Sequence, residues 1–466
     1  TQLRQYRLAV AATGEYTAYH GGTVSAGQAA IVTAMNRGNG VDERELSIRM
    51  NLVANNSSLV YTNAATDPYS NTDSLAMLSQ NQSNIDAVIG NANYDIGHVF
   101  STGGGGRAGL GVVGFTGSKA RGVSGLPAPT GDAFWIDYVA HEIGHQFGAS
   151  HTFNNCNGGN DGSGAANLVE PGSGSTIMAY AGICGATDLQ SFSHDYFHSR
   201  SFDQIIAFVD GVIPGVGTRT ATGNSAPTVS AGLNYTIPAN TPFELTATGS
   251  DVNGDTITYN WEQRNGSSTP IALGTDPGFG PIFRSWPATT NPTRTFPRLG
   301  NLLNNTIPLG EHLPETNRTL NFRVTARDNR VGGGGVNTAD MIVTSVNTGE
   351  AFTVNTFNAL GTSVAGGSLQ TIHWNVAGTT ANGINAANVK ILLSTDGGNS
   401  FPITLLPSTA NNGSAQVQMP YNLGTSLARI KVQPTDNIFF DINNFNFAIT
   451  NVASPTGVPV LAGSTD

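Results

Sequence analysis

The segment from His141 to His151 reads H-E-I-G-H-Q-F-G-A-S-H, and its residue types stand at spacings suited to metal chemistry. On a helix, residues four apart share a face, so His141 and His145 project together. Two imidazoles so placed can bind one small cation, and Glu142 beside them can reach a water on it. Gly148 lets the chain leave the helix, because glycine adopts the left-handed conformation that ends helices at little cost. The turn then brings back His151. Three neutral nitrogens with an open fourth position describe a catalytic zinc site, with His141, His145 and His151 as ligands and Glu142 as general base. An amphipathic core helix with hydrogen-bonded histidines is the plainer reading of the same letters.

The full pattern, HExxHxxGxxH, is followed 27 residues after His151 by Met178, within Ser175-Thr176-Ile177-Met178-Ala179-Tyr180. On these residues the chain resembles the metzincin clan of zinc endopeptidases, most closely its secreted, reprolysin-like bacterial members, over roughly residues 1–212. The resemblance implies that Met178 forms an apolar floor beneath the imidazoles. It implies an edge strand that holds the substrate backbone as an added antiparallel strand. Tyr180 matches the M-x-Y pattern of astacin- and serralysin-type members, in which the tyrosine moves onto the zinc or the oxyanion. Reprolysins proper usually lack it, so the subfamily pattern is mixed here. Related chains carry an N-terminal propeptide, which would make Thr1 a processed end.

The elements that must position these residues lie before and after them. Alternation predicts strands at Arg4–Thr13, Leu46–Val53 and Asp95–Ser101, and helical spacing predicts helices at Thr23–Arg37 and Leu75–Ile89, the second broken near Asn81. Strand–helix–strand alternation implies a twisted mixed sheet backed by helices. His98 reads as a packed strand residue. Asp132 is placed to cap the zinc helix, and Ile136, Val139, Ala140, Ile143 and Phe147 form its core-facing stripe. Gly109–Gly114 matches GxGxxG but opens no helix, so a dinucleotide site is not expected; the stretch reads as a loop beside a glycine-rich edge strand. After His151 comes an Asn/Gly-rich loop, in which Asp161 is either a solvated carboxylate or a calcium ligand. His194 and His198 read as pocket-wall or structural residues, followed by a closing helix over Phe202–Val209.

The composition agrees with an extracellular, multidomain chain. Of 466 residues, 39% are hydrophobic but only 11% are charged, and the net charge is −10 with no Lys/Arg cluster, so nucleic-acid binding is disfavoured. No apolar run is long enough to span a membrane. The two cysteines, Cys156 and Cys184, flank the segment between the third histidine and the methionine turn. A disulfide is favoured over two buried thiols.

The domains are expected at 1–213 (catalytic), 214–226 (a Pro/Gly-rich linker), 227–348 and 349–450 (two Ig-like β-sandwiches), and 451–466 (a tail). Every catalytic candidate precedes the linker, so a chain ending near Gly217 is expected to keep its activity. The stretch Ser250–Asp255 resembles PKD or cadherin-like modules. Asp251, Asn253 and Asp255 could donate oxygens to calcium or form an Asx turn. Ser394–Phe401 resembles a structural Asp-box hairpin. The expected function is secreted, zinc-dependent endopeptidase action on proteins or peptides, with β-sandwich modules that bind substrate or a cell surface. Competing readings are an exopeptidase, a cell-wall amidase, or an inactive relic in an adhesion protein.

Overall fold

The computed structural model describes residues 1–455. Gln2–Ala12 (β1) has Tyr6, Leu8 and Val10 buried on one face and Ala9 and Ala11 on the other, as a central strand requires. It pairs in parallel with Ile48–Leu52 (β2) on one side and Ile96–Ser101 (β3) on the other. Gly106–Ala108 (β4) and Gly122–Gly125 (β5) complete the order β2-β1-β3-β5-β4, with β4 antiparallel to β5 at the open edge.

After the short helix Gly14–Tyr19 (α1), the long helix Val24–Leu46 (α2) packs Ile31, Ala34, Met35 and Val41 against Tyr6, Leu8 and Val10. Ser74–Val88 (α3) buries Met77, Leu78 and Ile85 on the opposite face, against Ala9, Ala11 and Val99. The sheet is thus covered on both sides. Two expectations need correction. α2 runs nine residues past Arg37 to Leu46. α3 is continuous through Asn81, which is fully buried and gives its amide to Ala120 O (2.6 Å) while accepting from Tyr69 Oη (2.9 Å). A polar residue expected to break the helix instead ties it to the sheet's edge.

The expected linker is also corrected. Thr218–Ala221 (β6) pairs antiparallel with Gln2–Gln5 of β1, and the Thr1 amine donates to Asn224 O (2.5 Å). A chain ending near Gly217 would leave this flank of β1 unpaired. Beyond it, the strands Thr258–Gln263, Arg318–Arg327, Val336–Val346 and Tyr235–Pro238 form one sheet, faced by the pair Phe243–Thr246 and Thr293–Phe296. Phe243, Phe296 and Phe322 fill the space between them, with centroids 4.9–5.9 Å apart. A second sandwich packs the sheet of Thr353–Val354, Leu369–Asn375 and Ser414–Gln418 on a six-stranded sheet centred on Thr425–Pro434. The two sandwiches share one continuous hydrophobic core, joined where Phe243 bridges Phe439. Of the expected tail, residues 451–455 carry no regular structure; the rest lie outside the described residues.

Candidate active site

The histidine helix is assembled from Asp132–Phe134 (α4), a π-helical turn Trp135–Ala140 and His141–Gln146 (α5). Its stripe of Ile136, Val139, Ala140, Ile143 and Phe147 is buried in the same core as β1 and α2. The expected cap is wrong. Gly131 holds the cap position, and Asp132 pairs with Arg37 of α2 (2.9 Å). The exit is as read: Gly148 has φ +93° and donates to His145 O (2.8 Å), which reverses the chain toward His151.

The structure brings His141, His145 and His151 together, so that one nitrogen from each lies within 4.8 Å of the others. Each Nδ1 faces a fixed acceptor: Ile177 O (2.7 Å) for His141, Ala149 O (2.6 Å) for His145, and the Asp161 carboxylate for His151. With the Nδ1 atoms protonated, the Nε2 lone pairs must face one another, His145 to His151 at 3.0 Å and His151 to His141 at 3.1 Å. Bare lone pairs so close repel, and a shared cation removes the repulsion. Zn–N bonds of ~2.0–2.1 Å at tetrahedral angles put such nitrogens about 3.3 Å apart, close to what is seen. Burial holds His141 well below the usual imidazole range and His145 at about 4, so both are neutral, as metal ligation needs. The donor set fits zinc.

Glu142 reaches β4 with its carboxylate and lines the same cavity as His141 and Tyr180. Its Oε2 is buried without a partner. A Cβ on Gly106 would lie 2.1 Å from Glu142 Oε1, so only glycine at that edge-strand position leaves room for the carboxylate. Burial pushes Glu142 up to about 8, with Arg107 of β4 opposing. A dication at the imidazoles would lower it again. Met178 is fully buried, and a Cβ on Gly144 would stand 2.5 Å from its sulfur, so the methionine lies directly against the histidine helix. The Tyr180 ring stacks on Phe153 (4.4 Å) and lies 4.6 Å from His151 and 5.7 Å from His141. Burial raises its hydroxyl to about 12, so it stays a donor at neutral pH.

Two carboxylates behind the histidines were not assigned these partners from the sequence. Asp161 lies exposed in its loop, as expected, but its carboxylate also meets His151 Nδ1, and it joins no acid cluster among the described residues. Glu170 is buried and accepts from Thr152 Oγ1 (2.6 Å), Thr176 Oγ1 (2.5 Å) and Ser175 N (2.9 Å), which ties the His151 segment to the methionine turn. Their signal in the sequence is only that they are acids in an otherwise uncharged Gly/Ser/Asn loop. Cys156 and Cys184 form a disulfide across this segment. The first sandwich holds it from outside: Asn154 Nδ2 donates to Ser267 O (2.7 Å), Asn155 Nδ2 to Ile271 O (2.9 Å) and Asn160 Nδ2 to Ser268 O (2.9 Å).

The remaining candidates are structural. His98 is fully buried between Gln146 (2.8 Å) and Ser124 (3.0 Å). His198 caps the helix Ser199–Ala207 (α6) by accepting from Arg200 N, and His194 stacks near Tyr196. Gly109–Gly114 is a loop packed on the end of α5, with Val112 N donating to Gln146 O (2.9 Å). Asp396 closes its hairpin on Ser394 (2.6 Å) and Ser400 (3.0 Å). The calcium reading of Asp251, Asn253 and Asp255 is not supported. Asp251 Oδ1 accepts from Asn253 N (2.7 Å) in an Asx turn, and the side-chain oxygen of Asn253 accepts from Ser225 N (2.9 Å), away from the cluster. The third acid near Asp251 and Asp255 is Asp328.

The sequence profile of the metallo-peptidase family M12B, reprolysin-like, matches residues 2–206. No curated protein matches the chain. Among solved structures, the PKD domain of human KIAA0319 aligns at 19% identity over 29% of this chain and 97% of its own, with a TM-score of 0.15. The N-terminal four Ig domains of Dscam1 isoform 1.9 align at 10% identity over 50% of this chain and 47% of their own, also at 0.15. Scores this low add nothing to the sandwich assignment, which rests on strand order and the shared core.

Proposed function

We infer that this chain, whose residues 2–206 belong to the reprolysin-like M12B metallopeptidases, is a secreted zinc endopeptidase. The observation that carries the reading is the convergence of three Nε2 atoms beside a buried, unpartnered Glu142 oxygen. His141, His145 and His151 would hold the zinc. Bound there, the ion supplies Lewis acidity to a water and to the scissile carbonyl. Glu142 takes the proton of the attacking water and passes it to the leaving amine. Tyr180, held beside His141 and His151 by its stack on Phe153, donates its hydroxyl to the oxyanion as charge develops. Met178 keeps the imidazole platform dry from below.

Among the described residues edge strand β4 has no neighbour on its outer side, so an extended peptide can add there and continue past both ends. That favours internal bonds over termini, and so an endopeptidase over an exopeptidase. The disulfide fits an oxidising compartment. Among the described residues no helix is long and apolar enough to cross a membrane. The contacts of the first sandwich with Asn154, Asn155 and Asn160 favour a supporting role for that module over a purely binding one. Metal analysis with casein digestion, with and without chelator, tests the reading. About one zinc per chain and chelator-sensitive digestion are expected; full digestion by zinc-free protein would overturn it.

A further inference from the structure

A cavity of about 380 Å³ opens beside Glu142, between the histidine helix and the segment that follows the methionine turn. Its walls carry Leu126, Tyr138, Ile183 and Phe192, so they are largely apolar, while Asp137 stands in its lining. Asp137 lies one helical turn before His141 and therefore on the same face of the helix as that histidine. Its Oδ1 accepts from Ser193 N (2.8 Å), which fixes the carboxylate against the opposite wall. Among the described residues no cation is paired with it, and Arg37 of α2 is engaged by Asp132 and Asp195. Arg107, on β4, acts on Glu142 and is not part of the lining. The cavity lining therefore holds two acids, Asp137 and Glu142, and the neutral imidazole of His141, but no lysine or arginine.

We propose that this cavity is a specificity pocket for a basic side chain, arginine or lysine, on a residue flanking the scissile bond, with Asp137 as the residue that selects it. The proposal rests on the peptidase reading and names its substrate class. A largely apolar cavity with a carboxylate in its lining is complementary to the hydrocarbon stem and charged head of these two residues. Burial raises the Asp137 carboxyl above the ordinary range, and a cation in the pocket reverses that effect. An apolar side chain would instead leave a half-buried carboxylate without a counter-charge. An acidic one would add like charge beside Asp137 and Glu142.

The test is a peptide series identical except for arginine, lysine, leucine, glutamine or glutamate at each position flanking the cleaved bond. With the zinc-loaded enzyme, kcat/KM for arginine or lysine at one of those positions is expected to exceed that for leucine by about tenfold to a hundredfold, as for a hydrogen bond to a charged group. In Asp137→Asn the amide oxygen can still accept from Ser193 N, and the arginine-to-leucine ratio is expected to fall toward one. The same ratio read as competitive binding to the Glu142→Gln protein should follow, without turnover. No basic preference in the wild type, or an equal loss on all peptides in Asp137→Asn, overturns the assignment and leaves Asp137 as a tether for Ser193. Casein digestion by the same preparations separates the two readings. Chelator-sensitive digestion without basic preference removes only the pocket assignment; no digestion at all removes both.

Discussion

Among the described residues two clusters bring three metal-capable side chains within 4.8 Å, and they differ in how their ligand atoms are already engaged. In the histidine cluster, each ring's outer nitrogen is fixed by an acceptor (Ala149 O at the helix exit for His145, more distant groups for the other two), and the inner nitrogens meet one another. In the cluster of Asp251, Asp255 and Asp328, the oxygens are mostly engaged within the first sandwich. Asp328 accepts from Gly335 N (2.8 Å), Arg330 N (3.0 Å) and Asn224 Nδ2 (2.6 Å), and Asp255 pairs with Arg330 (3.2 Å). Only Asp251 Oδ2 is buried without a partner. Proximity of ligand types is therefore a weak sign of a site. What marks one is acceptors left over after the local hydrogen bonds are made.

The sharpest way to exploit that contrast is to keep the histidines and remove the base. Glu142→Gln is nearly isosteric but cannot accept a proton, so turnover should fall by ~10²–10⁴-fold with zinc content unchanged. Stopped-flow or steady-state kinetics beside metal analysis checks this, and near-normal kcat would assign the base elsewhere. A smaller loss, about 10²-fold in kcat with KM little changed, is expected for Tyr180→Phe, which keeps the ring on Phe153 and deletes only the donor. Unchanged kcat would leave Tyr180 with packing alone.

Asp161→Asn attacks the fixing of the outer nitrogen. The amide keeps an acceptor but loses the charge, so zinc affinity, measured by competition with a chromophoric chelator, should weaken by roughly 10–100-fold. An unaltered affinity would mean that the clamp from the first sandwich orients His151 without it. The acid cluster should respond least. Added calcium is expected to leave Tm unchanged, because the carboxylates already serve backbone amides, Arg330 and Asn224. A calcium-dependent rise in Tm that Asp251→Asn abolishes would erase the contrast between the clusters.

The sequence by itself determined the pieces whose chemistry is local. The i, i+4 histidines, the glycine that ends the helix, the methionine turn and the alternation of β1 are set by residues within a few positions of one another. Helical and strand periods carry that information directly, and the structure returns these elements. The disulfide reading rests on an extracellular-type composition and on two cysteines that stand beside the histidine segment. Local reading erred where a side chain had two local options and a distant partner chose between them. Asp132 could cap, but Arg37 of α2 takes its carboxylate. Asn81 could break α3, but Ala120 and Tyr69 satisfy its amide inside the fold. Residues 218–221 look like linker because their composition is; they are a strand because β1 leaves an edge that needs pairing.

The tertiary structure alone decided the surroundings of the histidines. Asp161, Glu170, Asp137 and the Asn154–Ser267 bond join positions 10 to 113 residues apart, and no periodicity encodes them. It also decided that the second and third units share one core, and that the first sandwich braces the loop after His151. The physical reason is the same in each case. A motif specifies which atoms can act, but which of their remaining hydrogen bonds are already made depends on whatever the fold packs against them.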